Sequence, residues 1–145
     1  MNNPLQTIED YELFLYTLKE RFPFIRHSTL ILSKRGISLA RVSGELQFDH
    51  GIRLIVRERI LYNRLPAVID EYGYEVWKVN NKLYWYDAQP HPNDPTLQST
   101  YPHHKHIQPN IRNNRIPAPE SSFAEPNLPM LIRETKALIE KIERD

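Results

Sequence analysis

The chain has 145 residues, no cysteine, 12 prolines against four glycines, and a formal net charge of +1. That length suits one domain able to bury roughly 68–70% of its unfolded surface, and the missing thiols exclude both a disulfide framework and a thiolate metal site, as fits a reducing cytoplasm. No apolar run nears the roughly 18 residues of a membrane span, and Met1 to Gln6 has neither the basic nor the apolar region of a secretory signal, so a cytoplasmic protein away from membranes is expected.

Thr7 stands where an N-cap would, and Ile8, Tyr11, Leu15, Leu18 and Phe22 then recur at helical spacing until Pro23. The spacing predicts one amphipathic helix over residues 7–21, its stripe laid on a sheet. From residue 24 to 87 the period falls to two, and five strands are expected there. Thr29 to Ser33 leads to a Lys34-Arg35-Gly36 turn, and Val42 to Phe48 leads to an Asp49-His50-Gly51 turn. In Ile52 to Ile60, Ile52, Leu54, Val56 and Ile60 share one face and Arg53, Arg57 and Arg59 the other, which leaves Glu58 on the apolar side. Asn63 to Tyr72 reads as an excursion around Pro66. Tyr74 to Val79 and Lys82 to Asp87 form a hairpin about Asn80-Asn81, a pair that tolerates left-handed backbone.

Residues 88–127 hold most of the prolines and no glycine, which predicts a semi-rigid irregular segment. Asn127 then caps an amphipathic helix over residues 128–144. Consecutive strands bracketed by helices give an α+β fold, a curved antiparallel meander of about five strands with an N-terminal and a C-terminal helix in a single domain over residues 1–145.

Within the proline-rich segment, Tyr101-Pro102-His103-His104-Lys105-His106 gathers three of the six histidines around a lysine, with no acidic residue between Asp94 and Glu120. Extended chain would send His104 and His106 to one side and His103 and Lys105 to the other. Histidine titrates near neutrality, so a cluster can supply both acid and base for phosphodiester cleavage, with Lys105, Arg112 or Arg115 stabilising the developing charge. The same residues also read as a His-x-His metal chelate completed by His91, Asp87 or Glu58. Chance histidines in a solvated basic loop are the plain alternative. Glu58 needs a cationic partner or a role in a cleft if it is buried, unless a strand end or bulge lets it reach solvent. Arg53, Arg57 and Arg59 form a ladder suited to phosphates or to an ordinary solvated face. Tyr84 and Tyr86 are core or sheet-surface aromatics unless unpaired bases stack on them.

A strand carrying Leu54, Val56, Arg57 and Glu58, an aromatic strand ending Tyr86-Asp87, then Pro90-His91 and the Tyr101 to His106 string, resemble the TumE family of small bacterial toxins from type II toxin–antitoxin systems. The likeness runs from about Val42 to His106, with the closing helix in place; the helix over residues 7–21 and the Asn63 to Tyr72 excursion depart from it. The resemblance implies a ribonuclease-type toxin encoded beside a helix-turn-helix antitoxin, with Glu58, Asp87, His91, His103, His104, Lys105 and His106 at the site.

The expectation is therefore an endoribonuclease toxin working without metal or other cofactor. RNA would be bound by Arg53, Arg57, Arg59, Arg112, Arg115, Tyr84 and Tyr86, and self-association is left open. The alternatives are a metal-dependent hydrolase or metal-binding protein using His104, His106 and His91, and a nucleic-acid-binding module without chemistry.

Overall fold

Period-two alternation dominates the middle of the chain, and an antiparallel sheet follows from it. The computed structural model describes residues 3–145. Eight strands are present: β1 (His27–Ser28), β2 (Ile31–Arg35), β3 (Leu39–Gln47), β4 (Ile52–Leu61), β5 (Val68–Lys78), β6 (Asn81–Asp87), β7 (His104–His106) and β8 (Arg115–Pro117). They run β1-β3-β4-β5-β6-β7-β8, with β2 also pairing β3. The α+β class and the antiparallel order agree with the sequence; the expected count of about five does not.

The three additional strands are short. β1 and β2 share the same edge of β3, and the chain crosses between them at Gly44, where a Cβ would lie 2.5 Å from the Thr29 carbonyl oxygen. β7 and β8 come from the segment expected to be irregular. Its prolines lie outside β7, and Pro117 sits on the outermost strand, where a missing N–H costs no inner ladder bond. Two other boundaries move. Arg59 pairs with Glu71 and Ile60 with Ile69, so Asp70 is an extra residue whose bulge breaks the alternation and hides the start of β5. The excursion therefore shrinks to the residues before Val68. The β5–β6 turn is Val79-Asn80 rather than Asn80-Asn81, with Val79 at φ 55° and its N–H donating to the Gly51 carbonyl at 2.9 Å.

The sheet has two unlike faces. Ile52, Leu54, Val56 and Ile60 of β4 are fully buried beneath the helices. Burying a large aliphatic side chain is worth about 1.5–3 kcal/mol, so this row is the main anchor of the core. The first helix is two pieces, α1 (Ile8–Tyr16) and α2 (Leu18–Arg21), parted at Thr17, whose hydroxyl donates to the Leu13 carbonyl instead of leaving the helix straight. Thr7 caps α1 as expected, accepting from the Asp10 N–H at 3.0 Å. α3 (Leu128–Arg144) buries Leu131, Ile132 and Ile139 on the same face. Asn127 holds the N-cap position, but its amide turns inward and bonds Ser122 and the Tyr74 hydroxyl. The opposite face carries Arg53, Arg57 and Arg59, which are half-buried or exposed. Among the described residues no helix is long and apolar enough to cross a membrane.

Candidate functional site

On the open face, strand pairing lines up four residues. Arg57 of β4 is opposite Gly73 of β5, Gly73 opposite Asp87 of β6, and Asp87 opposite His104 of β7. Directly opposed residues point to the same face, so Arg57, Asp87 and His104 project together. Gly73 leaves the middle of the row empty: a Cβ there would sit 2.5 Å from Arg57 Nη2. The guanidinium lies across β5 in that gap and lines the grooves that lead to Asp87. Among the described residues it has no ion-pair partner.

His106, two positions along β7, shares this face and completes a compact cluster. His104 Nε2 lies 2.8 Å from Asp87 Oδ1, His106 Nε2 lies 3.5 Å from Asp87 Oδ2, and the two Nε2 atoms are 3.1 Å apart. Each outer ring nitrogen faces a backbone carbonyl: His104 Nδ1 donates to Pro102 O at 3.1 Å and His106 Nδ1 to Ile111 O at 2.7 Å. A carbonyl only accepts, so both Nδ1 atoms carry the proton and both Nε2 atoms turn toward the carboxylate. The imidazoles are buried, and Asp87 keeps a quarter of its side chain exposed. Burial pushes the Asp87 carboxyl up, yet hydrogen bonds with His104, His106 and the Gln89 N–H outweigh it and hold the group well below the usual carboxylate range. The sharp alternation of His104 and His106 against Lys105 is as the sequence predicts. The solvated loop is not.

His91 packs edge-on to His104 with ring centroids 4.9 Å apart, and Arg115 Nη1 lies 2.9 Å from its ring nitrogens. Burial first, then the Arg115 charge, lowers its pKa, so it is neutral at pH 7. Arg115 pairs with His106 across β7–β8 and so belongs to the same face.

The other expected site residues are elsewhere. Lys105 projects to the helix face, 3.2 Å from Glu134 Oε2 and 4.2 Å above the Tyr84 ring. It cannot stabilise charge at the cluster. Tyr84 and Tyr86 lie beneath it, Tyr86 donating to Glu134 at 2.7 Å, and offer no face to a base. His103 stacks on Tyr72 with near-parallel rings and bonds its hydroxyl at 2.7 Å. Burial lowers its pKa. Glu58 is fully on the helix side, where the Tyr11 and Tyr74 hydroxyls each donate to it at 2.5 Å. Its partners are neutral donors rather than the expected cation. Burial is the larger influence and holds it above the usual glutamate range.

The arginine ladder also divides. Arg59 is engaged by Asp70 at 2.7 Å and by Glu71 at 3.4 Å, and Arg53 by Glu45 at 3.6 Å. Arg112 is exposed in the β7–β8 loop. Sequence reasoning missed Arg35 and Arg41, which line a groove with Arg57 and Arg59, and missed Gly73. Arg41 lies opposite Arg59, so the period-two pattern of β3 carried that signal.

The fold and site define an α+β protein with its helices on one sheet face and a carboxylate–imidazole cluster at the end of an arginine-bearing open face. The family model described as Toxin TumE matches residues 15–140, and the chain belongs to that toxin family. The match begins inside α1, so the start of that helix lies before it. No curated protein and no solved structure matches the chain. Membership of a toxin family implies a cognate antitoxin.

Proposed function

We propose that this toxin is an endoribonuclease whose RNA lies along the open face, with the scissile phosphate beside Asp87, His104 and His106. The observation that carries the reading is the row Arg57–Gly73–Asp87–His104, in which a glycine lets an uncommitted guanidinium reach toward a carboxylate–imidazole centre. Arg35, Arg41 and Arg57 along the adjoining groove fit a phosphate track. The ribose 2′-oxygen attacks phosphorus as the bond to the 5′-oxygen breaks. The 2′-hydroxyl proton passes to a base, and a proton is delivered to the departing oxygen.

A division of acid and base between His104 and His106 does not fit this geometry. Base and acid must stand on opposite sides of the phosphate, whereas these Nε2 atoms are 3.1 Å apart. His91, neutral and at the cluster's rim, is the better base. Arg57 and Arg115 balance the charge that develops on the phosphate oxygens.

The test uses labelled single-stranded RNA and DNA of one sequence. The reading expects wild-type chain to cut only the RNA, leaving a 2′,3′-cyclic phosphate, and expects Arg57→Ala to weaken binding and lower the salt slope by about one. Intact RNA under conditions where the chain arrests growth would overturn it. The partner proposed is a helix-turn-helix antitoxin, which a neighbouring reading frame should encode.

A further inference from the structure

We propose that Asp87, His104 and His106 form a binding site for one divalent first-row transition metal ion. The tautomers decide which atoms can act as donors. Both Nδ1–H groups are committed to backbone carbonyls, so only the Nε2 atoms face the centre, together with the Asp87 carboxylate. With neither Nε2 protonated and no cation present, two lone pairs and an anion would confront one another at 2.8, 3.1 and 3.5 Å in a site where both imidazoles are buried. With a proton on each Nε2, two N–H groups meet head to head. A single proton relieves one of these three contacts and leaves the other two unrelieved. A metal ion contacts all three donors at once.

The dimensions agree. Ligands about 2.0–2.1 Å from a tetrahedral ion are about 3.3 Å from one another, and the Nε2–Nε2 distance of 3.1 Å and the carboxylate contacts of 2.8 Å to Oδ1 and 3.5 Å to Oδ2 bracket that value. One ligand atom from each residue falls within a 4.8 Å span. The backbone carbonyls at Pro102 and Ile111 do what the outer partners of metal-bound histidines do: they fix tautomer and ring direction. Two imidazoles and one carboxylate suit zinc, manganese, cobalt or iron(II) better than magnesium or calcium. Three protein donors leave a position open toward the exposed side of Asp87, where water or a phosphate oxygen would complete the shell. Such an ion replaces the metal-free acid–base pair expected from the sequence, and it supplies positive charge where Lys105 does not reach.

Metal binding is measured without RNA, so its outcome is separate from that of the nuclease reading. Full-length chain is dialysed against chelator, titrated with ZnCl2 by calorimetry, and titrated with CoCl2 while visible absorption is recorded. The expected result is one ion per chain, cobalt bands in the visible, and at least about 100-fold weaker zinc binding for Asp87→Asn and His106→Gln, with His103→Ala unchanged. Should either site variant fail to fold, the cobalt spectrum of the wild type decides. Wild-type chain that takes up neither ion, or folded Asp87→Asn and His106→Gln chains that bind zinc as tightly as wild type, would overturn the proposal.

Discussion

Glu58 and Asp87 are two carboxylates one pairing row apart in the same sheet, yet they face opposite sides and live by different chemistry. Glu58 is enclosed with two tyrosine hydroxyls and has nothing to react with; Asp87 faces two imidazole nitrogens and keeps a path to solvent. Burial alone therefore does not mark a functional acid. What marks it is the identity of its partners and whether a substrate atom can reach the group.

The sharpest way to break this comparison is to neutralise each acid. Asp87→Asn should lower RNA cleavage by about 10²–10⁴-fold and relieve growth arrest, while Glu58→Gln should retain activity. Equal losses in a cleavage assay would erase the distinction.

Stability should rank them the other way. Glu58→Ala strands two buried hydroxyls and opens a cavity, costing about 3 kcal/mol or more in urea unfolding, against about 1 kcal/mol for Glu58→Gln. The pH dependence has a definite sign. Glu58 in the folded chain binds its proton more tightly than in the unfolded chain, so its contribution is present below the usual glutamate pKa and is lost as pH rises through the folded value. Wild-type stability relative to Glu58→Gln should therefore fall as pH rises above the usual glutamate pKa of about 4.3. A difference that stays constant as pH rises above that value would show that Glu58 is not held up by burial.

Smaller effects sharpen the picture. Gly73→Ala should push Arg57 out of its gap and reduce cleavage by about 10- to 100-fold, with a stability change within about 1 kcal/mol. If activity survives, the guanidinium does not work from that position. Lys105→Ala should cost within about 1 kcal/mol and leave cleavage unchanged, because its partner is Glu134 on the far side of the sheet.

Much of this was legible in the residues. The even positions of β4, the N-cap of α1 and the side-by-side placement of His104 and His106 follow from period and local chemistry alone. The remainder needed tertiary structure. Nothing local announces that His104 to His106 pairs with β6, because three residues between prolines carry no strand periodicity. The bulge at Asp70 interrupts the alternation at the start of β5, so the pattern does not carry on into Tyr72 and Gly73, which lie on opposite faces. Motif proximity put Lys105, His103 and Glu58 in one site, whereas strand geometry sends all three to the helix side.

The seam between β6 and β7 is only three residue pairs long: Trp85–His106, Tyr86–Lys105 and Asp87–His104. Function there depends on parity. Sliding β7 by one position would put the odd-even sequence out of phase, turning both imidazoles under the helices and presenting the lysine to Asp87 instead. One inserted residue between Pro102 and His104 should therefore silence the protein more thoroughly than two, since two restore the phase. The site is a property of counting as much as of composition.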